Sequence, residues 1–271
     1  MKVDDLCEFQ KTFKKQITIL MKTRFLFMLV LFLGFISYSQ TPDELFSKAN
    51  DFYKDGQYSK AIQLYLNIEK KGMESEDLFF NLGNSYYKLN KVAPSIYYYE
   101  KALKINPIHE DASNNLAFAK RMTIDVIEDL PRTFLQRFSS TVIQKLTYDT
   151  WAILAVTGSF LSAILFLLYY FSYSSKHKII YFNSAILTVF LMVITVIFAF
   201  SNYKTNQKIR SAIIFEQESD IKNSPSLDGE TVFELHEGTK VYILDELSNW
   251  KKIKLADGKI GWINAADLKE I

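Results

Sequence analysis

The hydrophobic and polar positions of this chain fall into segments of different period. Amphipathic stretches with a helical period occupy 42–123, two long uncharged apolar runs follow them, and after Ile209 the pattern changes towards the alternation of β-strands. A shorter apolar run lies near the N-terminus. This order predicts a multidomain membrane protein with an all-α solenoid, a two-helix transmembrane hairpin and a small all-β barrel.

The helical segment repeats itself at an interval of 34 residues. The stretch SKANDFYKDG begins 34 residues before NLGNSYYKLN, and superposing the two places Ala49 on Gly83 and Tyr65 on Tyr99. Small residues allow two antiparallel helices to approach closely, and aromatic residues fill the space around the contact. A period of this length with this pattern resembles the tetratricopeptide repeat (TPR). The alternative is a coincidental pair of helical hairpins.

The resemblance implies a TPR domain over 42–123. Its two repeats are 42–75 and 76–109, and Glu110 to Thr123 is a lone first helix that caps the stack. Pro107 ends the second unit, where the TPR pattern places a proline. Two and a half repeats lie at the lower limit for a stable solenoid.

The first helices of a TPR stack line a concave groove, and the resemblance implies that a partner binds there. Asparagine amides can hydrogen-bond to a peptide backbone, and aromatic side chains supply contact area. TPR proteins that hold a terminal carboxylate use a lysine where this chain has phenylalanine, so we do not expect that clamp. Alternatively, several of these residues pack against the next helix. The candidate groove residues are Phe46, Asn50, Tyr53, Lys54, Phe80, Asn84, Tyr87 and Lys88.

The N-terminal apolar run has the pattern of a secretory signal peptide over 21–39. The sequence MKTRFLFMLVLFLGFISYSQ combines a basic start, a short apolar core and small residues before the expected cleavage site. Met21 is then the natural start, and 1–20 is a mis-assigned extension that includes Cys7. The alternative is a retained N-terminal anchor. Whether the run is a cleaved signal peptide or a retained anchor, we expect the chain after it to be exported.

The two long apolar runs predict transmembrane helices at 151–175 and 179–203. Neither contains a charged residue, and each is long enough to cross about 30 Å of hydrocarbon as a helix. Only 176–178 separates them, so we expect a tight antiparallel pair with a cytoplasmic turn. Basic residues on both sides leave the positive-inside rule undecided. The export signal therefore sets the orientation, with the TPR domain and the C-terminal domain in the periplasm or outside the cell.

The linker 124–150 contains one amphipathic pattern. Leu135, Phe138, Val142 and Leu146 fall on one face of a predicted helix, with basic residues elsewhere. A helix of this kind directly before a membrane span lies in the membrane interface or packs on the repeat domain. The sequence leaves both positions open.

The last part of the chain has the pattern of short strands and a tight hairpin. The dipeptide Asp257-Gly258 is a two-residue turn signal between WKKIKL and KIGWIN. Pairing across this turn places Leu255 opposite Ile260 and Ile253 opposite Trp262. Trp262 is therefore expected in the core of the small barrel.

The stretch HEGTKVYILDELSNWKKIKLADGKIGWIN closely resembles a bacterial SH3-like barrel (SH3b), and the resemblance covers 212–271. Such barrels in wall-active proteins bind peptidoglycan or peptides. Trp250 is the candidate contact residue on the barrel, because an indole ring offers a large apolar surface and one hydrogen-bond donor.

Composition excludes several classes of chemistry. The TPR segment has 11 acidic and 11 basic residues and 212–271 has 12 and 7, so neither forms the basic surface that nucleic-acid binding needs. His109, His177 and His236 lie far apart and have no metal-ligand spacing. No catalytic motif occurs, and no metal or cofactor is expected. An enzyme is not expected.

The order of domains resembles one family closely, the BatE-type TPR proteins of the bacterial aerotolerance (Bat) operons. The resemblance runs from about Met21 to the end and rests on NLGNSYYKLN, YYYEKALKINP and LADGKIGWI in this order. It implies a multi-pass inner-membrane protein that is linked to stress tolerance or envelope maintenance. The implied partners are membrane proteins with a von Willebrand A domain and a MoxR-type ATPase.

Three functions fit these features. One is a non-catalytic scaffold, anchored in the membrane, that binds protein partners through the TPR groove and the barrel. A second is a peptidoglycan-binding module in which the repeats are a spacer. A third is a subunit of a wall-processing enzyme whose catalytic residues come from another chain.

Overall fold

The computed structural model describes residues 41–131, 133–208 and 210–271. The expected extension 1–20 and the expected signal peptide 21–39 lie outside the described residues. The TPR-like helices, the two long apolar helices and the C-terminal sheet follow one another in the predicted order.

The TPR-like region consists of two helical hairpins and a single helix. The helix that opens the second hairpin begins after Ser75, whose side chain accepts a hydrogen bond from the N–H of Leu78. Glu76 and Asp77 in its first turn interact favourably with the helix dipole. The helices are α1 (Pro42–Lys54), α2 (Tyr58–Lys70), α3 (Glu76–Lys88), α4 (Val92–Ile105) and α5 (Glu110–Lys120).

The small residues lie where the helices make their closest contacts. Ala49, Ala61 and Ser95 are fully buried, as is Gly83. A Cβ atom on Gly83 would lie 2.6 Å from ring carbons of Tyr99, so no larger residue fits beside that ring. The pattern of small and aromatic positions that predicted the repeat is confirmed as the packing of the helices.

The linker forms a short helical segment instead of one long helix. It begins with a capping box between Thr133 and Gln136, continues as α6 (Phe134–Phe138) and ends in a π-helical turn (Ser139–Ile143). The predicted apolar face is largely exposed, and the buried residue is Ile143, which that face did not include.

Two long helices form the hairpin. The first begins three residues before the expected 151–175 and ends at Phe171, and the second extends beyond the expected 179–203 at both ends. Each is long and apolar enough to cross a membrane. The turn between them is 172–174 and not the predicted 176–178, because the N–H of Lys178 already donates to the C=O of Ser174 in the first turn of the second helix. Lysine is compatible with a helix, so Lys176 and Lys178 lie within the second helix. The charged residues mark the ends of the uncharged runs and not the ends of the helices. The helices are α7 (Tyr148–Phe171) and α8 (Ser175–Lys208).

The C-terminal part is an antiparallel sheet with the strand order β3-β2-β6-β5-β4-β1-β7. Its inner face buries aliphatic side chains, with Ile214, Ile221, Val241, Ile253 and Ile263 fully inaccessible. The strands are β1 (Arg210–Ile214), β2 (Glu218–Lys222), β3 (Thr231–His236), β4 (Lys240–Leu247), β5 (Trp250–Lys254), β6 (Ile260–Asn264) and β7 (Leu268–Glu270).

The predicted register of the β5–β6 hairpin is wrong by one residue. Ile253 lies opposite Gly261, and Trp262 lies opposite Lys252. The loop has three residues, because the N–H of Leu255 donates to the C=O of Lys259 (2.9 Å) and Gly258 has φ of +95°. A glycine in the left-handed region at the third loop position is typical of three-residue hairpins, and one extra loop residue moves every pair to the next position.

The shift in register moves Trp262 from the expected core to the outer face. The ring is half-buried there, and the Nζ of Lys252 lies 5.9 Å from its centroid. Gly261 allows Ile221 to pack directly over the backbone, since a side chain at this position would collide with it. The core of the barrel is therefore aliphatic.

Candidate functional site

The predicted groove residues lie on α1 and α3, the first helices of the two hairpins, and they differ in exposure. The lysines Lys54 and Lys88 are exposed, and Lys54 is 3.6 Å from Asp51 on its own helix. The predicted aromatic and asparagine residues on both helices are half-buried. The candidate groove therefore combines half-buried aromatic and asparagine side chains with two exposed lysines.

Both predicted asparagines make internal hydrogen bonds with their side-chain oxygens. The Oδ1 of Asn50 accepts from the hydroxyl of Tyr65 (2.5 Å) and from the Nδ2 of Asn81 (3.1 Å). In the next repeat, the Oδ1 of Asn84 accepts from Tyr99 (2.8 Å) and from Asn115 (2.7 Å).

These contacts recur at the 34-residue interval and are called the asparagine ladder here: Asn50, Tyr65, Asn81, Asn84, Tyr99 and Asn115.

In the two asparagines whose oxygens accept these bonds, the amide nitrogens stay available for a ligand. Across the described residues, neither the Nδ2 of Asn50 nor that of Asn84 has a hydrogen-bond partner. Burial raises the pKa of Tyr65 and of Tyr99 well above the ordinary value, so both hydroxyls stay protonated and continue to donate. The ladder thereby holds two amide donors in fixed positions along the groove.

The phenylalanines at the groove pack on the ladder tyrosines. The ring centroid of Phe46 lies 5.8 Å from that of Tyr65, and Phe80 lies 6.2 Å from Tyr99 and 4.8 Å from His109. Each phenylalanine thus contacts the ring of the tyrosine whose hydroxyl donates to a ladder asparagine. The two phenylalanines therefore support the asparagine ladder.

The capping helix extends the groove with residues that the sequence analysis did not name. Phe118 lies 34 positions after Asn84, and Arg121 lies 34 positions after Tyr87. The side chain of Phe118 is 51% exposed, and the guanidinium of Arg121 lies 5.1 Å from its ring. Extending the same interval into α5 would have identified both.

A second feature is the contact between the barrel and the repeat domain. Ile213 on β1 is buried in the hydrophobic cluster of the repeats. Phe215 stacks edge-on against Tyr97 on α4, with ring centroids 5.7 Å apart, and the Nζ of Lys269 lies 4.7 Å from the same Tyr97 ring. The barrel thus packs on α4, the second helix of the second repeat.

A buried carboxylate lies at the centre of this contact. Glu100 on α4 is 9% exposed, and it accepts from the Nζ of Lys240 on β4 (2.6 Å) and from the Nζ of Lys120 on α5 (3.1 Å). Burial acts to raise the pKa of Glu100, but the two lysines outweigh it and hold the pKa below its ordinary value. The ionised carboxylate joins the repeats, the cap and the barrel.

A second polar contact joins the barrel to the end of the cap. Asp125 accepts from the backbone N–H of His236 (2.7 Å), from the hydroxyl of Thr239 (2.6 Å), and lies 2.8 Å from the Nδ1 of His236. Gly238, with φ of +87°, makes the approach possible, because a Cβ atom there would lie 2.8 Å from Thr123. The contacts of Asp125 and those of Glu100 are together called the interdomain contact.

The candidate residue of the barrel, Trp250, is half-buried on the outer face of β5. It lies opposite Leu247 on β4, which is exposed, and opposite Asn264 on β6. With Lys252 and Trp262 on the same face, the outer surface of the sheet combines indole rings and a cation. This surface is suited to contacts with flat or polar ligands.

The described residues contain no cluster of side chains that could form a metal site. Among residues 41–131, 133–208 and 210–271, no group of three or more potential ligand side chains could hold a metal ion.

Comparison with known families supports both soluble domains. Residues 76–109 match the family described as tetratricopeptide repeat, and residues 220–269 match the family described as bacterial SH3 domain. No curated protein matches the chain. Domains of these two kinds suggest binding of a protein or of the cell wall, and the bacterial SH3 domain suggests a position outside the cytoplasm.

Proposed function

We propose that this chain is a non-catalytic scaffold that binds a protein partner in the TPR groove while two helices anchor it in the membrane. The observation that carries the proposal is the asparagine ladder. It fixes two amide donors, from Asn50 and Asn84, beside exposed lysines on successive repeats. Donors at a regular interval suit the repeated carbonyl groups of an extended peptide.

The aromatic residues of the hairpin support the membrane anchor. Trp151 and Tyr170 lie near the two ends of α7, and the rise of a helix separates them by about 29 Å, close to the thickness of the hydrocarbon layer. Tyr148 and Tyr203 meet edge-on at one end, with centroids 5.6 Å apart. Tyr and Trp are enriched at both interfaces of a membrane, so this spacing favours a spanning hairpin.

The proposed location is the bacterial inner membrane, with the TPR domain, the barrel and the partner in the periplasm. The basic residues at the start of α8 then lie at the cytoplasmic side. The resemblance to BatE-type proteins supports a role in a Bat complex for aerotolerance or envelope maintenance. The candidate partners are von Willebrand A-domain membrane proteins and, through them, a MoxR-type ATPase.

The groove is tested by charge reversal at its two exposed lysines. Lys54→Glu with Lys88→Glu is expected to reduce recovery of the partner at least tenfold in pull-downs of the full-length protein from detergent-solubilised membranes. Lys60→Glu with Lys70→Glu changes the same charge on the exposed surface of α2, a second helix, and serves as the matched control. Equal recovery with both pairs would show that the groove does not hold the partner.

The orientation is tested by protease treatment of intact spheroplasts, with an epitope tag after Ile271. We expect digestion of the TPR domain and of the tag while a cytoplasmic control protein survives. Protection of both would place them in the cytoplasm, and the partner search would move there.

A second candidate function is binding of peptidoglycan by the barrel, with the repeats as a spacer. The half-buried indole rings of Trp250 and Trp262 on the outer face of the sheet favour it. Co-sedimentation of the purified full-length protein with sacculi distinguishes this function. Retention that is lost in Trp250→Ala, and kept in the variant with both groove lysines reversed, would support wall binding over the scaffold.

A further inference from the structure

The short helical segment before α7 has two unlike faces. Its polar residues Thr133, Gln136, Ser140 and Gln144 line a cleft of about 780 Å³ against the strands of the barrel. Its apolar residues point elsewhere, with Phe134 80% and Leu135 76% exposed. An apolar surface of this kind on a folded chain indicates a binding surface rather than a solvated one.

The depth of this segment is fixed by contacts with the apolar helices. The ring of Phe138 lies 6.1 Å from that of Phe198 on α8. Phe198 is five residues before the end of the uncharged run at Tyr203, which places it about 7 Å inside that end. Interfacial helices bury their apolar face by about 5–10 Å, so the two depths agree.

Hydrogen bonds hold the segment at this level. The carbonyl of Ile143 accepts from the Nε1 of Trp151 (2.9 Å) and from the Nδ2 of Asn202 (3.3 Å), and Asn202 also donates to the carbonyl of Leu146 (2.6 Å). Asn202 is 4% exposed, although it lies at the end of an apolar helix. Backbone carbonyls near hydrocarbon need such partners, because no water is there to replace them.

We infer that the segment 133–146 lies in the plane of the lipid interface on the barrel side of the membrane, with Phe134, Leu135 and Phe138 among the acyl chains. The occupant of the apolar face is lipid because that face continues the surface of α7 and α8 at the same level. Arg137 is exposed beside it and is placed to meet anionic headgroups. The inference rests on the proposed membrane anchor.

The test is the depth of fluorescent probes in reconstituted vesicles. In the full-length protein with Cys7→Ser, single cysteines are introduced at Leu135, at Phe160 in the middle of α7 and at Met73 in an exposed turn of the repeats. Each carries a bimane probe, and lipids with a doxyl group at a shallow or a deep position of the acyl chain act as quenchers. All three sites are exposed, so the variants are expected to fold, and circular dichroism checks this.

We expect Leu135→Cys to be quenched at least twofold more by the shallow than by the deep quencher, Phe160→Cys to show the reverse, and Met73→Cys to be unaffected. Quenching at Phe160 without quenching at Leu135 would overturn the inference and leave the membrane anchor in place. Absence of quenching at both sites would overturn the inference together with the anchor.

Discussion

At the scale of single residues, the asparagines of the groove have a structural role that their position alone did not indicate. Asn50 and Asn84 were predicted from the TPR resemblance as contacts for a peptide. The structure shows that each accepts two hydrogen bonds, one from a buried tyrosine and one from an asparagine on the first helix of the next unit. Replacing either asparagine therefore removes internal hydrogen bonds as well as a possible contact with a ligand.

Asn50→Ala with Asn84→Ala is expected to lower the free energy of unfolding of the repeat domain by about 2–6 kcal/mol. Each substitution leaves the hydroxyl of a buried tyrosine without its acceptor, and an unsatisfied buried polar group costs about 1–3 kcal/mol. Urea denaturation followed by circular dichroism measures the change.

Asn114→Ala on the exposed side of the cap is the control for the loss of an asparagine, with an expected change below about 0.5 kcal/mol. Equal stability of the double variant and this control would contradict the role of the ladder. A loss of partner binding in the double variant is informative only after its stability has been measured.

At the scale of elements, loop length decided which side chains face the core of the barrel. Asp257-Gly258 predicted a two-residue turn, whereas the loop includes Ala256 and forms a three-residue turn that ends at Gly258. The resulting register places Ile253 and Ile263 inside and both tryptophans of the hairpin outside. The length of this loop therefore determines which side chains lie on the outer face of the barrel.

Gly258→Ala is expected to destabilise the barrel by about 1–2 kcal/mol, because a Cβ atom disfavours the left-handed conformation that this residue adopts. Gly258→Asn is the matched variant and should lose less, since asparagine enters this region more readily. Thermal unfolding of both variants checks the order. An equal loss for alanine and asparagine would indicate crowding against Leu130, which a Cβ atom would approach to 3.1 Å.

At the scale of the whole molecule, the barrel and the repeats are packed together although the hairpin separates them along the chain. Residues from Leu45 to the C-terminus form one compact unit. The interdomain contact is made by Glu100 on α4, by Lys120 on α5 and by Asp125 in the segment after α5. None of these residues lies on α1 or α3. If the chain acts as the proposed scaffold, this packing limits the motion of the repeats relative to the barrel. A partner would then lose less freedom on binding than it would on a flexible tether.

Lys240→Ala is expected to destabilise the interdomain contact by about 1.5–3 kcal/mol, the usual worth of a hydrogen bond to a charged group. Glu100 would stay buried with Lys120 as its one remaining cation among the described contacts. Lys259→Ala is the control, because the Lys259 side chain is exposed and its ion pair with Asp257 (3.4 Å) is worth about 0–1 kcal/mol. Equal denaturation midpoints for the two variants would contradict the role of Glu100.

The interdomain contact is also expected to depend on pH. The hydrogen bond with Asp125 raises the pKa of His236 above its ordinary value of 6.5, with smaller contributions from Glu218 and Glu234. A raised pKa means that the stabilisation is complete below pH 6.5 and is lost as the pH rises through the value in the folded protein.

Asp125 sets the lowest pH at which the interdomain contact is fully stable. Burial acts to raise its pKa, but the hydrogen bonds from His236 and Thr239 outweigh it, so the pKa lies below its ordinary value of 3.8. The stabilisation that Asp125 provides is complete above pH 3.8. It is lost as the pH falls through the lower pKa that Asp125 has in the folded protein. Limited proteolysis should find the contact most resistant between about pH 4 and 6.5, and His236→Gln should remove the decline above pH 6.5. An unchanged decline in the variant would contradict this assignment.

The sequence by itself determined the order of the domains, the helical repeat and the two apolar helices. Each depends on contacts between residues that are near in the chain or recur at a constant interval, so their pattern is visible without a structure. The extension of the groove to Phe118 and Arg121 belongs to the same class, because the interval of 34 residues leads to it.

Only the tertiary structure decided the interdomain contact, the asparagine ladder and the contacts of the segment before α7 with the two apolar helices. Glu100 and Lys240 are 140 positions apart, and Asp125 and His236 are 111 apart, with no periodic pattern that relates them. Which charged side chain becomes buried, and beside which partner, depends on how completed elements pack. That information exists only once the chain has folded.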